Sequence, residues 1–153
     1  MLGDSHAKLN SFLVRVFHDI LRIEEQSLSK GEFGDLSMRE MHIIESICEA
    51  GEQGADNRTT AIAREQGITN GTLTVAVNSL VKKGYVRRAP DERDRRVVRL
   101  YPTERAREAN AAHAVFHHDM VSAVIHRLSG DEVETLVRAL SAIENYFEAQ
   151  RKH

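Results

Sequence analysis

Leu80-Val81-Lys82-Lys83-Gly84-Tyr85-Val86-Arg87-Arg88, followed by Asp91-Glu92-Arg93-Asp94-Arg95-Arg96-Val97-Val98-Arg99-Leu100, is the stretch that decides the fold. A helical run halts at Gly84, which suits a left-handed helix stop. Two short β-rich pieces, Tyr85 to Arg88 and Val97 to Tyr101, then flank a charged tip. Upstream, Thr59 or Thr60 caps a short helix, Thr60 to Gln66, with Ile62 and Ala63 facing inward. Gly67-Ile68-Thr69 reads as a turn with Ile68 as its buried plug. A second helix is expected from about Asn70 to Lys83, with Leu73, Val77, Leu80 and Val81 as its inner stripe. Helix, turn, helix and hairpin in this order make a helix-turn-helix with a β-wing. Charge agrees: from Arg58 to Arg107 there are 12 Lys and Arg against 5 Asp and Glu, a net +7, while the whole chain is −2 and the remainder therefore −9. Such asymmetry points to one part meeting a polyanion, and the order of elements names DNA.

The rest of the chain frames this core. At 153 residues it is long enough for one domain with a buried core. Trp is absent and only 2 Pro occur, which fits a mostly helical protein. No apolar run approaches the ~20 residues of a membrane span. MLGDSHAKLN lacks the basic and apolar regions of a secretory signal, and a single cysteine makes no internal disulfide, so a cytoplasmic location is expected.

Leu9, Phe12, Leu13, Val16, Phe17, Ile20 and Leu21 fall at helical steps in an amphipathic helix over residues 7–30, ended by Gly31, Gly34 and Asp35. Ser37-Met38-Arg39-Glu40 is a capping box ahead of a helix that buries Met41, Ile44, Ile47 and Cys48. Gly51 to Asn57 reads as a polar loop. Thr103 caps a helix of about 25 residues with the stripe Ala109, Ala112, His113, Phe116, Met120, Val124 and Leu128. Ser129-Gly130-Asp131-Glu132 is a second capping box, before a last helix carrying Val133, Leu136, Val137, Leu140, Ile143 and Phe147. The expectation is a mainly α fold in a single domain, 1–153: a winged core at 37–102, and helices at 7–30 and 103–150 that pack together and against a second copy.

A major groove accepts an α-helix. Thr69, Asn70, Thr72, Thr74 and Asn78 are the candidates on the second helix for its base edges. Gly71 lets backbone approach a phosphate at a helix N-terminus that favours anions. Arg93 and Arg95 at the wing tip suit a narrow minor groove, where negative potential is enhanced. Lys82, Lys83, Arg87, Arg88 and Arg99 are expected at or beside phosphates, with Arg96 on the same wing. Asp94 is expected to pair with an arginine and shape the hairpin.

With LVKKGYVRR and DERDRRVVRL in place, the chain resembles the MarR family of dimeric winged-helix regulators over nearly its whole length. A closer likeness is to the branch that represses bacterial fatty-acid synthesis. It is carried by Ile23-Glu24-Glu25, Met38-Arg39-Glu40-Met41-His42, Thr69-Asn70-Gly71-Thr72-Leu73-Thr74 and His113-Ala114-Val115-Phe116-His117. The resemblance implies a homodimer with interlocked terminal helices, placing its second core helices in successive major grooves of a pseudo-palindromic operator, with half-sites ~10 bp apart. The branch implies a repressor that binds double-stranded DNA better when it holds a long-chain acyl group on acyl carrier protein. Phe12, Val16, Ile20, Phe116 and Met120 would line an acyl slot, and the same side chains read more readily as core. The chain departs from the family at Pro102 and Ala106 and in a Gly51–Asn57 loop that reads as longer than usual.

His113 and His117 lie one helical turn apart, and His42 and Glu24 or Glu25 fall on helices expected nearby. Two imidazoles and a carboxylate make a zinc set, and a zinc-responsive branch of the same family uses such residues in comparable regions. No Cys joins them and no H-E-x-x-H run is present, so hydrogen-bonded interface histidines, or a pH-sensitive network, read as well or better. Cys48, beside Ile44 and Ile47, reads as a core thiol rather than a redox sensor. The leading reading is a ligand-responsive repressor; the alternatives from other classes are a metal-dependent hydrolase built on the histidines and a winged-helix protein-interaction module. No phosphate loop, nucleophile elbow or catalytic carboxylate pair supports the enzyme. A repressor needs no resident cofactor.

Overall fold

The computed structural model describes residues 2–151. Six helices and one hairpin follow in the order α1 (Leu2–Lys30), α2 (Met38–Gln53), α3 (Thr59–Gln66), α4 (Asn70–Lys82), β1 (Val86–Pro90), β2 (Val98–Pro102), α5 (Glu104–Ile125) and α6 (Gly130–Arg151). Two compact units divide the chain, residues 1–114 and 115–153, with the boundary inside α5.

The first unit is built on α2, which begins where the sequence places it. The Ser37 hydroxyl accepts from the Glu40 amide at 3.1 Å, and the Glu40 carboxylate accepts from the Ser37 amide at 3.0 Å. Met41, Ile43, Ile44, Ile47, Cys48 and Ala50 are buried on it. The helix runs on to Gln53 and closes on Gly54. Gly51 to Gln53 of the expected Gly51–Asn57 loop are therefore the end of α2, and a short link from Gly54 precedes α3. That link is held by Asp56, which accepts from the Arg58 backbone and pairs with its guanidinium. The arginine beside it pulls the Asp56 carboxyl down to about 2. Arg58 itself is the N-cap of α3 and gives no side-chain cap, so neither Thr59 nor Thr60 plays that part.

Around α2 pack Ile62 and Ala63 of α3, Leu73, Val77 and Leu80 of α4, then Tyr85, Val86, Leu100, Ala106 and Ala109. Phe33 and Leu36 join them from the α1–α2 link. Gly34 lies in that link because a Cβ there would stand 2.6 Å from the Ser29 carbonyl oxygen. Two expected core positions differ. Ile68 is half-buried, packed at the edge of the cluster, and Val81 is 38% exposed. The inner stripe of α4 is Leu73-Val77-Leu80, at four- and three-residue steps. Val81 falls at the margin of that stripe, about 40° round the helix from Val77 on the side away from Leu80.

Gly84, with φ 86, turns the chain from α4 into the hairpin. β1 and β2 pair antiparallel with Arg87 opposite Tyr101 and Arg88 opposite Leu100. Tyr85 is fully buried. Its hydroxyl donates to Asp35 at 2.7 Å, and the Arg105 guanidinium lies 4.8 Å from its ring centre. Thr103 caps α5, its hydroxyl donating to the Gly84 carbonyl and accepting from the Ala106 amide. Ala106 is completely buried, so the family departure noted there is absorbed by close packing.

The second unit holds the end of α5 and α6. The Ser129–Glu132 capping box forms as expected, with 2.8 and 3.2 Å bonds. No residue of α6 is buried: Leu136, Val137, Leu140, Tyr146 and Phe147 are exposed. Of the expected α5 stripe, Ala109 and His113 are buried, Phe116 and Met120 half-buried, and Ala112 and Val124 exposed. In the first unit α1 likewise exposes Leu9, Phe12, Phe17 and Leu21. No helix among the described residues is long and apolar enough to cross a membrane.

Candidate nucleic-acid interface

Thr69 opens α4. Its hydroxyl accepts from the Thr72 amide at 3.1 Å and donates to the Thr72 hydroxyl at 2.9 Å. Asn70, Gly71, Thr74, Val75 and Asn78 form the exposed edge of the helix, with Lys82 at its end. A Cβ at Gly71 would meet nothing closer than the Thr69 hydroxyl at 4.0 Å, so that surface is open. The Thr74 hydroxyl donates to the Asn70 carbonyl at 2.9 Å. Asn78 accepts from the Arg88 guanidinium, which ties the helix to β1 of the wing.

The wing is braced at its base and charged at its tip. Asp91 accepts from the backbone amides of Arg93 and Asp94, at 3.0 and 3.1 Å, and pairs with the Arg99 guanidinium. Arg99 first, then those amides, holds the Asp91 carboxyl below its usual range. Arg99 also donates to Asn57 at 2.8 Å, and Asn57 donates to the Leu100 carbonyl at 3.1 Å. Arg99 is thus committed to holding the hairpin against the link before α3. Lys83 is likewise committed, to the Glu40 carboxylate at 2.8 Å and the Asp35 carbonyl. The two side chains expected at phosphates that sit nearest the core are therefore braces.

Further out, Asp94 accepts from the Arg96 backbone and meets its guanidinium through two bonds of 3.0 and 3.1 Å. This is the shaping pair anticipated for Asp94, and it leaves Arg96 largely exposed. Arg93 and Arg95 are exposed at the tip. Arg87 is exposed on β1, its guanidinium 4.7 Å from the Tyr101 ring centre across the hairpin. The first unit therefore presents one helix edge and one basic hairpin.

Two residues that the sequence does not mark for DNA, Arg39 and Val75, lie beside the expected groove-facing side chains. Arg39 is exposed in the first turn of α2 and, with Ser37, lines a surface groove of about 450 Å³ whose other wall is Thr72, Val75 and Ser79. Its place in the capping-box sequence was visible. Its position beside α4 was not, because that depends on how α2 and α4 cross.

A second cluster lies inside the first unit. Glu24 is 4% and His113 7% exposed. One oxygen of Glu24 is 3.1 Å from His113 Nε2 and 3.4 Å from His42 Nε2, and Glu45 approaches His113 Nε2 at 3.7 Å. Of the two candidate carboxylates, Glu24 is the one brought in, and Glu25 is exposed. His117, one turn beyond His113 on α5, is half-buried with its ring edge-on to Phe116. None of Phe12, Val16, Ile20, Phe116 and Met120 belongs to the buried core: Phe12 is exposed and the others half-buried. Cys48 is buried, and burial, reinforced by Glu52, pushes its thiol up to about 11. Both features fit the core thiol expected from the sequence.

The model of the MarR family matches residues 36–98, the stretch that holds both the helix edge and the hairpin. The crystal structure of Streptococcus pneumoniae FabT in complex with DNA is similar at 33% identity and a TM-score of 0.88, covering 95% of this chain and 99% of FabT. AbsC of Streptomyces coelicolor, a MarR family transcriptional regulator, shares the fold at 22% identity and a TM-score of 0.77, covering 95% of this chain and 96% of its own. The S. aureus MepR–DNA complex does so at 20% and 0.73, covering 89% and 96%. No curated protein matches the sequence. The chain belongs to the MarR family. It is a DNA-binding transcriptional regulator with a winged helix-turn-helix, not an enzyme.

Proposed function

We propose that the protein is a homodimeric repressor of fatty-acid-synthesis genes, acting in the cytoplasm, that grips a pseudo-palindromic operator more tightly when long-chain acyl-acyl carrier protein is bound. The observation that carries this reading is the likeness to FabT, whose structure was solved on DNA, at 33% identity over 95% of the chain. Thr69, Asn70, Gly71, Thr72, Thr74 and Asn78 would face the major groove, while Arg93, Arg95 and Arg96 carry the wing to an adjacent groove. Lys82, Arg87 and Arg88 would meet phosphates, and Asp94 would hold Arg96 in place. Dimerisation is supported by the exposed apolar rows on α1 and α6, which burial against a second subunit would take out of water. The partly exposed apolar side chains Phe12, Val16 and Ile20 on α1, and Phe116 and Met120 on α5, are the candidates for meeting the acyl chain.

The test is fluorescence anisotropy on a fatty-acid-synthesis promoter fragment, at fixed salt and with chelator, with and without long-chain acyl-acyl carrier protein. Tighter binding with the carrier is expected. Specific binding that ignores it would remove the lipid effector and keep the regulator.

The convergence of His42 and His113 on one Glu24 oxygen favours a second reading, a zinc-responsive regulator. Two imidazole nitrogens and a carboxylate oxygen fit the donor set zinc takes, and His117 stands one turn further along the helix as a candidate fourth ligand. Zinc would supply a charge that locks α1, α2 and α5 to one another. Metal analysis of the purified protein decides it: stoichiometric zinc, lost in His113→Ala, supports this reading, and a metal-free protein removes it.

A further inference from the structure

Val75 is 71% exposed, the most exposed large apolar side chain among the described residues, and it lies in the middle of the α4 edge. Stability of the chain gives no reason for it. A β-branched residue at an exposed helix position lowers helix propensity and here gains no burial. Its polar neighbours share the exposed edge, but many of their polar atoms are engaged within the chain. Thr69 and Thr72 close the helix cap, the Thr74 hydroxyl bonds the Asn70 carbonyl, and the Asn78 oxygen holds Arg88. The apolar group offered at mid-helix, between exposed Thr74 and Asn78, is the Val75 isopropyl group. It is flanked by cations: Arg39 faces it across the Ser37–Val75 groove, and Arg88 lies beyond Asn78 toward the wing.

An apolar centre between two guanidinium groups matches a base edge between two phosphate strands. In the major groove only thymine presents a methyl group. Val has essentially one rotamer in a helix, so little side-chain entropy is lost on contact. We propose that Val75 is a specificity-determining residue that reads the C5-methyl group of one thymine in each operator half-site. This rests on α4 lying in the major groove, as proposed above.

The experiment first selects an operator from random duplexes, then replaces each thymine in turn by uracil, which removes only the methyl group. Affinities are measured for the full-length protein and for Val75→Ala. The expected result for the parent is a loss of about fourfold at one symmetric pair of thymines, what a single buried methyl group accounts for. Val75→Ala should bind the parent operator more weakly and lose that discrimination at the same pair alone, with an unchanged salt slope. Identical uracil profiles in the two proteins overturn the proposal, as does a parent insensitive to every uracil, or a Val75→Ala loss spread evenly over all positions. If selection returns no operator, the groove placement fails first and the proposal with it.

Discussion

α2 and α6 are both amphipathic helices opened by a Ser-x-x-Glu capping box, and they end differently. α2 buries eight residues and is the spine of the winged core. α6 buries none. The local chemistry that starts a helix is the same in both, so caps and period do not decide what a helix is for. What differs is whether the chain itself supplies a cover for the apolar face. For α2 it does, through α3, α4 and the hairpin. For α6 the exposed Val137, Leu140 and Phe147 await one, and a second subunit is the cover proposed here.

Core truncation should break the comparison most strongly. Ile44→Ala removes a fully buried side chain and should cost about 2–5 kcal/mol in denaturant unfolding. Leu140→Ala, starting half exposed, should cost far less in a dilute monomer. A like cost for both would mean that α6 is covered within its own chain. A charged pair on α6, Val137→Asp with Leu140→Asp, should shift the protein to monomer in sedimentation. A dimer that persists would place the interface elsewhere.

The wing sharpens the comparison on the DNA side. Arg93→Ala and Arg95→Ala should each weaken DNA binding and reduce the log–log salt slope by about 1, leaving the oligomeric state unchanged. Arg99→Ala acts differently, because Arg99 braces the hairpin through Asp91 and Asn57. It should loosen the wing and raise its amide hydrogen exchange, an effect absent from Arg93→Ala.

The smallest effect concerns Cys48. Its folded thiol titrates near 11, above its ordinary value of 9.0, so burial favours the neutral form. The associated stability is present below pH ~9 and fades as pH rises through ~11. At pH 8 the native protein should react with a thiol reagent slowly, and at the ordinary rate once unfolded. Fast native labelling would put Cys48 at an accessible site.

Both capping boxes, the Gly84 stop, the three buried positions of α4 and the order of elements were legible from residues alone. They depend on neighbours within four or five positions, and short-range chemistry is written in the order of residues. The pairing of Asp94 with an arginine was also legible, because the partner is two residues away. Tertiary structure alone decided that Lys83 and Arg99 are braces rather than free cations, since their partners Glu40 and Asn57 lie 43 and 42 residues away. It alone chose Glu24 over Glu25, turned Val81 outward and left Val75 bare beside Arg39. An arginine or a valine has the same local propensity whether it meets a carboxylate, a core or water. Which of these it meets is settled by how the helices cross, and that is a property of the whole chain.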